Sequence, residues 1–141
     1  MKRLLLAIAL VLVMAIPAFA QNGPIKIKPL MVFTENASGS ITPYFYDGEF
    51  IYSRIDYVVK GTGSFRVRFE VRNSAGVLID KNKSLDIDVD NPTFAPSQSY
   101  FQLTPGAIRV AGYYTLKTFY VDLATRTTWS HQTKFYVSEP D

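Results

Sequence analysis

The residues with the types to do chemistry are few, and each group carries its own geometric test. The single histidine, His131, stands beside Ser130, which are the residue types of a base and a nucleophile. The segment around them alternates apolar and polar residues, so it reads as a strand, and neighbours on a strand point to opposite faces. Ser130 and His131 therefore cannot work as a nucleophile–base pair, and His131 is expected to be an ordinary, partly buried side chain. Asp86, Asp88 and Asp90 with Asn91 offer the carboxylate oxygens that a calcium ion takes. An EF-hand loop needs Gly where Asn91 stands and Glu where Ser97 stands. On a strand the three aspartates lie about 7 Å apart along one face, too spread to wrap one ion. The expectation is a solvated acidic stripe that also discourages edge pairing. The chain has no cysteine, which excludes thiol nucleophiles and cysteine metal sites, and no Asp or Glu stands in a recognisable catalytic setting. No catalytic residue, metal ligand or cofactor is assigned, and the chain is expected not to be an enzyme.

Aromatic residues point to binding instead. In Thr42, Pro43, Tyr44, Phe45, Tyr46, Asp47 and Gly48, three consecutive aromatics cannot all enter one core, because alternate residues of an extended chain face opposite ways. The segment reads as a loop that exposes at least one of Tyr44, Phe45 and Tyr46, and such side chains bring large contact area at small entropic cost. The stretch from Gly112 to Asp122 places Tyr114, Leu116 and Tyr120 on one parity and Tyr113, Phe119 and Val121 on the other. One parity faces the core, and the other presents aromatics around Lys117. Tyr44, Phe45, Tyr46, Tyr113 and Phe119 are thus the candidate partner-binding residues. A basic stripe of Arg66, Arg68 and Arg72 is interrupted by Glu70 and reads as a solvated face. Asn36 with Ser38 and Asn82 with Ser84 fit the glycosylation sequon, idle in a bacterial protein, which the short leucine-rich leader suggests.

The elements that must position these residues are strands. From Ser64 to Asn73, Phe65, Val67, Phe69 and Val71 alternate with Arg66, Arg68, Glu70 and Arg72, which gives one face to the core and the other to water. Ser74 to Gly76 reads as a turn and Val77 to Asp80 as the start of a return strand. Leu85, Ile87 and Val89 alternate with the aspartates in the next strand. Ile25 to Phe33, Glu49 to Lys60, Tyr100 to Leu103, Gly112 to Asp122 and Thr127 to Val137 bring the number to about seven or eight. No segment carries an amphipathic helix. Many short strands separated by turn signals predict an all-β, two-sheet sandwich of antiparallel strands in a single domain.

One motif sharpens that expectation. Gly112, Tyr113, Tyr114, Thr115 and Leu116, followed by Asp122 to Arg126, resemble the penultimate strand and last hairpin of bacterial exported immunoglobulin-like and fibronectin type III-like sandwiches. The resemblance implies that Tyr114 is a tyrosine-corner residue, its ring in the core and its hydroxyl bonded to nearby backbone. It covers only the last forty or so residues. The cysteine pair of antibody domains is absent, and the one tryptophan, Trp129, lies in the last strand.

The first twenty residues bear on where the domain works. Lys2 and Arg3, the apolar run Leu4 to Ile16, and Ala18, Phe19 and Ala20 make a cleavable signal peptide ending at about Ala20, which leaves residues 21–141 as the domain. The apolar run is shorter than the roughly 20 residues a spanning helix needs, so no membrane span is expected after cleavage. The whole chain carries 15 Lys and Arg against 12 Asp and Glu; without Lys2 and Arg3 the balance is 13 against 12. A near-neutral domain gives no argument for nucleic acid. The sequence therefore predicts an exported, secreted or periplasmic, non-enzymatic sandwich that binds a protein or a surface polymer. A loop-based enzyme or inhibitor, or an assembly subunit of an envelope complex, is the alternative.

Overall fold

The computed structural model describes residues 24–81, 84–90 and 96–139. The expected leader, Met1 to about Ala20, lies outside the described residues, as do Asn82 and Asn91. The described chain is all β: β1 (Lys26–Glu35), β2 (Tyr44–Tyr46), β3 (Tyr52–Lys60), β4 (Gly63–Asn73), β5 (Leu78–Lys81), β6 (Leu85–Val89), β7 (Ser97–Gln102), β8 (Gly112–Asp122) and β9 (Thr128–Ser138). Strands β1, β3 and β7 form one sheet in that order; β2, β9, β8, β4 and β5 form the other, with β6 also paired to β4. These are nine strands rather than seven or eight. The additional one is β2, in a segment that read as a loop, while the predicted return strand and the aspartate strand are β5 and β6, which lie end to end along one edge of β4, against Glu70–Arg72 and Gly63–Val67.

Period two in the sequence becomes two-sidedness in the fold. Phe65, Val67, Phe69 and Val71 of β4 are buried, as are Leu116 and Tyr120 of β8, Phe135 and Val137 of β9, and Ile55, Tyr57 and Val59 of β3. Their side chains meet between the sheets, where Tyr57 packs edge-on to Phe65 at 5.8 Å between ring centroids and tilts against Tyr120 at 5.3 Å. Removing this apolar area from water is the dominant favourable term in a domain without disulfides. Half-buried Trp129 and His131 share the inward parity of β9 with Phe135.

Chain punctuation follows from local chemistry. Gly112 opens β8 at φ +144°, a conformation that residues with a Cβ rarely adopt, so the Gly of the G-x-Y motif is there for its backbone. Two residues on, Tyr114 is buried, stacks on Phe135 at 5.5 Å, and donates its hydroxyl proton to the Val110 carbonyl. The tyrosine corner is therefore present. At the other end of β8, Asp122 accepts the Ala124 and Thr125 N–H groups at 2.9 and 3.5 Å and the Thr125 hydroxyl at 2.9 Å. That set of bonds holds a turn in which Arg126 takes φ 62°.

These bonds decide the charge state of Asp122. Burial alone raises a carboxyl pKa, but the three donors outweigh it and hold Asp122 below the usual carboxylate range. A folded-state pKa below the unfolded one means that the stabilisation is present above the unfolded value, near 4, and is lost as pH falls through the folded one. Asp122→Asn keeps the size of the side chain but removes the charge. It is expected to lower stability by about 1.5 to 3 kcal/mol at pH 7, the usual worth of a hydrogen-bonded charge, and the gap from wild type is expected to narrow below pH 4. Urea midpoints at pH 7 and pH 3 check both; equal losses at the two pH values exclude the charge as the cause.

Candidate functional site

The connection from β1 to β3 builds one corner of the six-stranded sheet. After β1 the chain turns at Asn36, whose side-chain oxygen accepts the N–H groups of Ser38 and Ser40, and then crosses to the opposite sheet at Thr42 and Pro43. The Tyr136 N–H donates to the Pro43 carbonyl at 2.7 Å, and Tyr44, Phe45 and Tyr46 pair in parallel with Tyr136, Val137 and Ser138. The aromatic triplet is thus a short strand, not a loop, and among the described strands β2 and β9 form the one parallel pair.

Alternation in β2 then sorts the triplet. Phe45 is 2% exposed and meets Phe135 edge-on at 5.9 Å, whereas Tyr44 and Tyr46 are 68% and 66% exposed. The assignment of Phe45 to a partner surface is corrected accordingly: its register partner, Val137, faces inward, so Phe45 must too. Tyr44 and Tyr46 lie on the outer side.

The same pairing joins the two aromatic groups that sequence left apart. Tyr44 is in register with Tyr136 across β2 and β9, and Tyr136 with Tyr113 across β9 and β8. Tyr113 is 62% exposed, and its ring lies 4.9 Å from that of Tyr136. Strands are about 4.8 Å apart, so three tyrosines span roughly 10 Å of outer sheet surface. Below that row, register sets Lys134 beside Thr115 and Arg72, then Gln132 beside Lys117 and Glu70, then Ser130 beside Phe119 and Arg68. Tyr136 and Lys134 were not among the candidates from sequence; their signal was parity, since both alternate with the buried Phe135 and Val137.

Phe119 is half-buried, with the Arg68 guanidinium 4.1 Å and the Lys117 ammonium 5.1 Å from its ring centroid. Glu70 bonds Arg68 at 2.8 Å and Arg72 at 3.3 Å. Partial burial pushes the Glu70 carboxyl up, and the two arginines more than reverse that, so it sits below its ordinary value and stays ionised. Phe119, Glu70 and Arg72, together with Tyr113, Lys117 and Lys134, line an open trough of about 900 Å³.

The remaining motifs resolve into structural pairs. Arg66 pairs with Asp86 at 2.7 Å, and the Ser64 hydroxyl donates to Asp88 at 2.5 Å. The acidic and basic stripes therefore meet at one ion pair across β4 and β6, Arg66 with Asp86, and Asp86, Asp88 and Asp90 remain exposed along one edge. Among the described residues no cluster of three or more His, Asp or Glu could hold a metal ion. A smaller cleft of about 190 Å³ opens between the 46–51 and 103–109 segments at one end of the sandwich. Its walls are mostly loop; Tyr46 lines it, and Tyr113 and Tyr136 do not.

No family model and no curated protein matches the chain. Solved structures do resemble it. The C-terminal domain of wzt superposes with a TM-score of 0.60 at 10% identity, covering 82% of this chain and 75% of that one. The CARDB domain of a Pyrococcus furiosus protein, solved in complex with di-metal ions, gives 0.52 at 13% identity over 82% and 96%. A β-glucosidase from Listeria innocua, in complex with glucose, gives 0.50 at 9% identity over 81% of this chain but only 16% of that one. At such identities the likeness concerns fold alone, and it places this chain among immunoglobulin-like two-sheet sandwiches.

Proposed function

We propose that this chain is an exported, non-enzymatic binding module whose contact surface is the outer face of the six-stranded sheet, and that its partner is a protein or a surface polymer of the cell envelope. The observation that carries the reading is the row Tyr44, Tyr136 and Tyr113. Core demand cannot explain these side chains, because their strand neighbours Phe45, Val137, Phe135 and Tyr114 already fill the interior. Exposed Tyr44 and Tyr113 flank half-buried Tyr136, and an exposed aromatic patch of this kind, here carried on paired strands, supports an interaction surface. Export is part of the proposal because of the leader of residues 1–20.

The test is capture of the purified protein on envelope material from the producing cell. The double variant Tyr44→Ser, Tyr113→Ser is expected to melt within a few degrees of wild type, since both side chains are mostly exposed. It is expected to lose capture by about tenfold or more, because central aromatic anchors are typically worth over about 2 kcal/mol each. Unchanged capture by a folded double variant excludes this face as the contact surface.

A further inference from the structure

Charge on the six-stranded face is unevenly shared. Lys134, Arg72, Lys117, Lys81 and Arg68 occupy outward register positions around Glu70, while the other outward carboxylates, Asp86 and Asp88, lie at the far end of β4 and are engaged by Arg66 and Ser64. Glu70 is committed to Arg68 and Arg72. Lys81, Lys117 and Lys134 make no ion pair with any described residue. Since the chain without Lys2 and Arg3 carries only 13 cationic against 12 acidic residues, this face holds a local excess that the domain as a whole lacks. The excess lies directly beside the tyrosine row.

From that juxtaposition we infer that the face binds an anionic polysaccharide, a deduction that rests on the binding-module reading above. Flat tyrosine rings match the C–H-bearing faces of pyranose rings, and their hydroxyls can exchange hydrogen bonds with sugar hydroxyls. Lys134 and Lys117, one and two rows away, stand where carboxylate or sulfate groups on a chain laid over the tyrosines come within reach. An acidic peptide fits less well. Extended peptides add along an open sheet edge, and the edge available here runs along β2 and β9, whereas Tyr113 and Lys117 stand on β8, which is paired on both sides to β9 and β4. Peptide side-chain anchors also need pockets closed to water, and this trough is open. A chain of flat, charged rings needs neither an edge nor a pocket.

The experiment measures binding of the purified protein to four polymers: polygalacturonate, dextran sulfate, neutral dextran and polyglutamate. At least one of the two charged glycans is expected to bind about tenfold or more tightly than dextran and polyglutamate, and more weakly as salt rises. Which of them binds better separates carboxylate from sulfate recognition. The double variant Lys117→Gln, Lys134→Gln is expected to weaken glycan binding about tenfold and flatten its salt dependence. Tyr113→Ser is expected to weaken glycan binding and leave any residual attraction for polyglutamate unchanged. Equal binding of polyglutamate or of dextran, or a lysine double variant that binds like wild type, overturns the inference. If no polymer binds while envelope capture still depends on Tyr44 and Tyr113, the polysaccharide assignment fails and the binding-module reading stands. If envelope capture is also indifferent to those tyrosines, both fail.

Discussion

Phe45→Ala is expected to destabilise the domain by roughly 3 to 5 kcal/mol, the range for deleting a buried aromatic ring, while Tyr44→Ser and Tyr46→Ser each stay within about 1 kcal/mol of wild type. Three neighbours of similar chemistry divide because Phe45 is 2% exposed, in the core against Phe135 of β9, and the tyrosines on either side are two-thirds exposed. Phe45 also does more than fill space. Its edge contact with Phe135 fixes β2 against β9, and the backbone on either side supplies the Pro43 carbonyl for Tyr136 and the Phe45 carbonyl for the Ser138 hydroxyl at 3.4 Å. Losing the ring should therefore loosen β2 and carry Tyr44 away from Tyr136. Chemical denaturation of the three single variants checks the stabilities. A Phe45→Ala domain as stable as the tyrosine variants excludes the inward register of β2.

Tyr114→Ala is expected to cost a similar roughly 3 to 5 kcal/mol, and the comparison with Tyr114→Phe and Tyr120→Phe separates ring from hydroxyl. Tyr114 and Tyr120 are both buried tyrosines on the inward face of β8, and burial raises the pKa of both hydroxyls. The Tyr114 hydroxyl bonds the Val110 carbonyl and ties the 103–111 connection to the strand that follows it. Tyr114→Phe is therefore expected to cost about 1 kcal/mol, the net value of a hydrogen bond. The Tyr120 hydroxyl has no hydrogen-bond partner among the described residues. An unpartnered buried hydroxyl is a cost rather than a gain, so Tyr120→Phe is expected to be neutral or stabilising. Thermal melts of the three variants decide the matter; a Tyr114→Phe protein as stable as wild type removes the corner bond from the account.

The geometry of the corner was written into one stretch of sequence. Gly112 supplies a backbone conformation, Tyr114 a ring two residues later, and Asp122 with Thr125 a self-contained turn. All of these act within about fifteen residues, so local chemistry reveals them without knowledge of the rest. The alternation of β4 and β8 was legible for the same reason, since period two is a property of a strand by itself. The pattern at residues 1–20 on which the proposal of export rests is likewise local, and it is a matter of the sequence alone.

What sequence could not decide was adjacency. Tyr44 and Tyr113 are 69 positions apart, and nothing near either residue says that β2 crosses to the opposite sheet and pairs in parallel with β9. Short aromatic runs carry too little pattern to be told from loops, which is why the triplet read as one and why Phe45 was placed on the surface. The fate of the charge stripes was hidden in the same way. Arg66 and Asp86 neutralise each other only because β6 happens to run along β4, while Lys117 and Lys134 face outward without such a partner. Alternation thus fixed which residues point the same way on each strand. Strand order and register, which depend on contacts between distant segments, decided which of them stand together and so whether this face is a site at all.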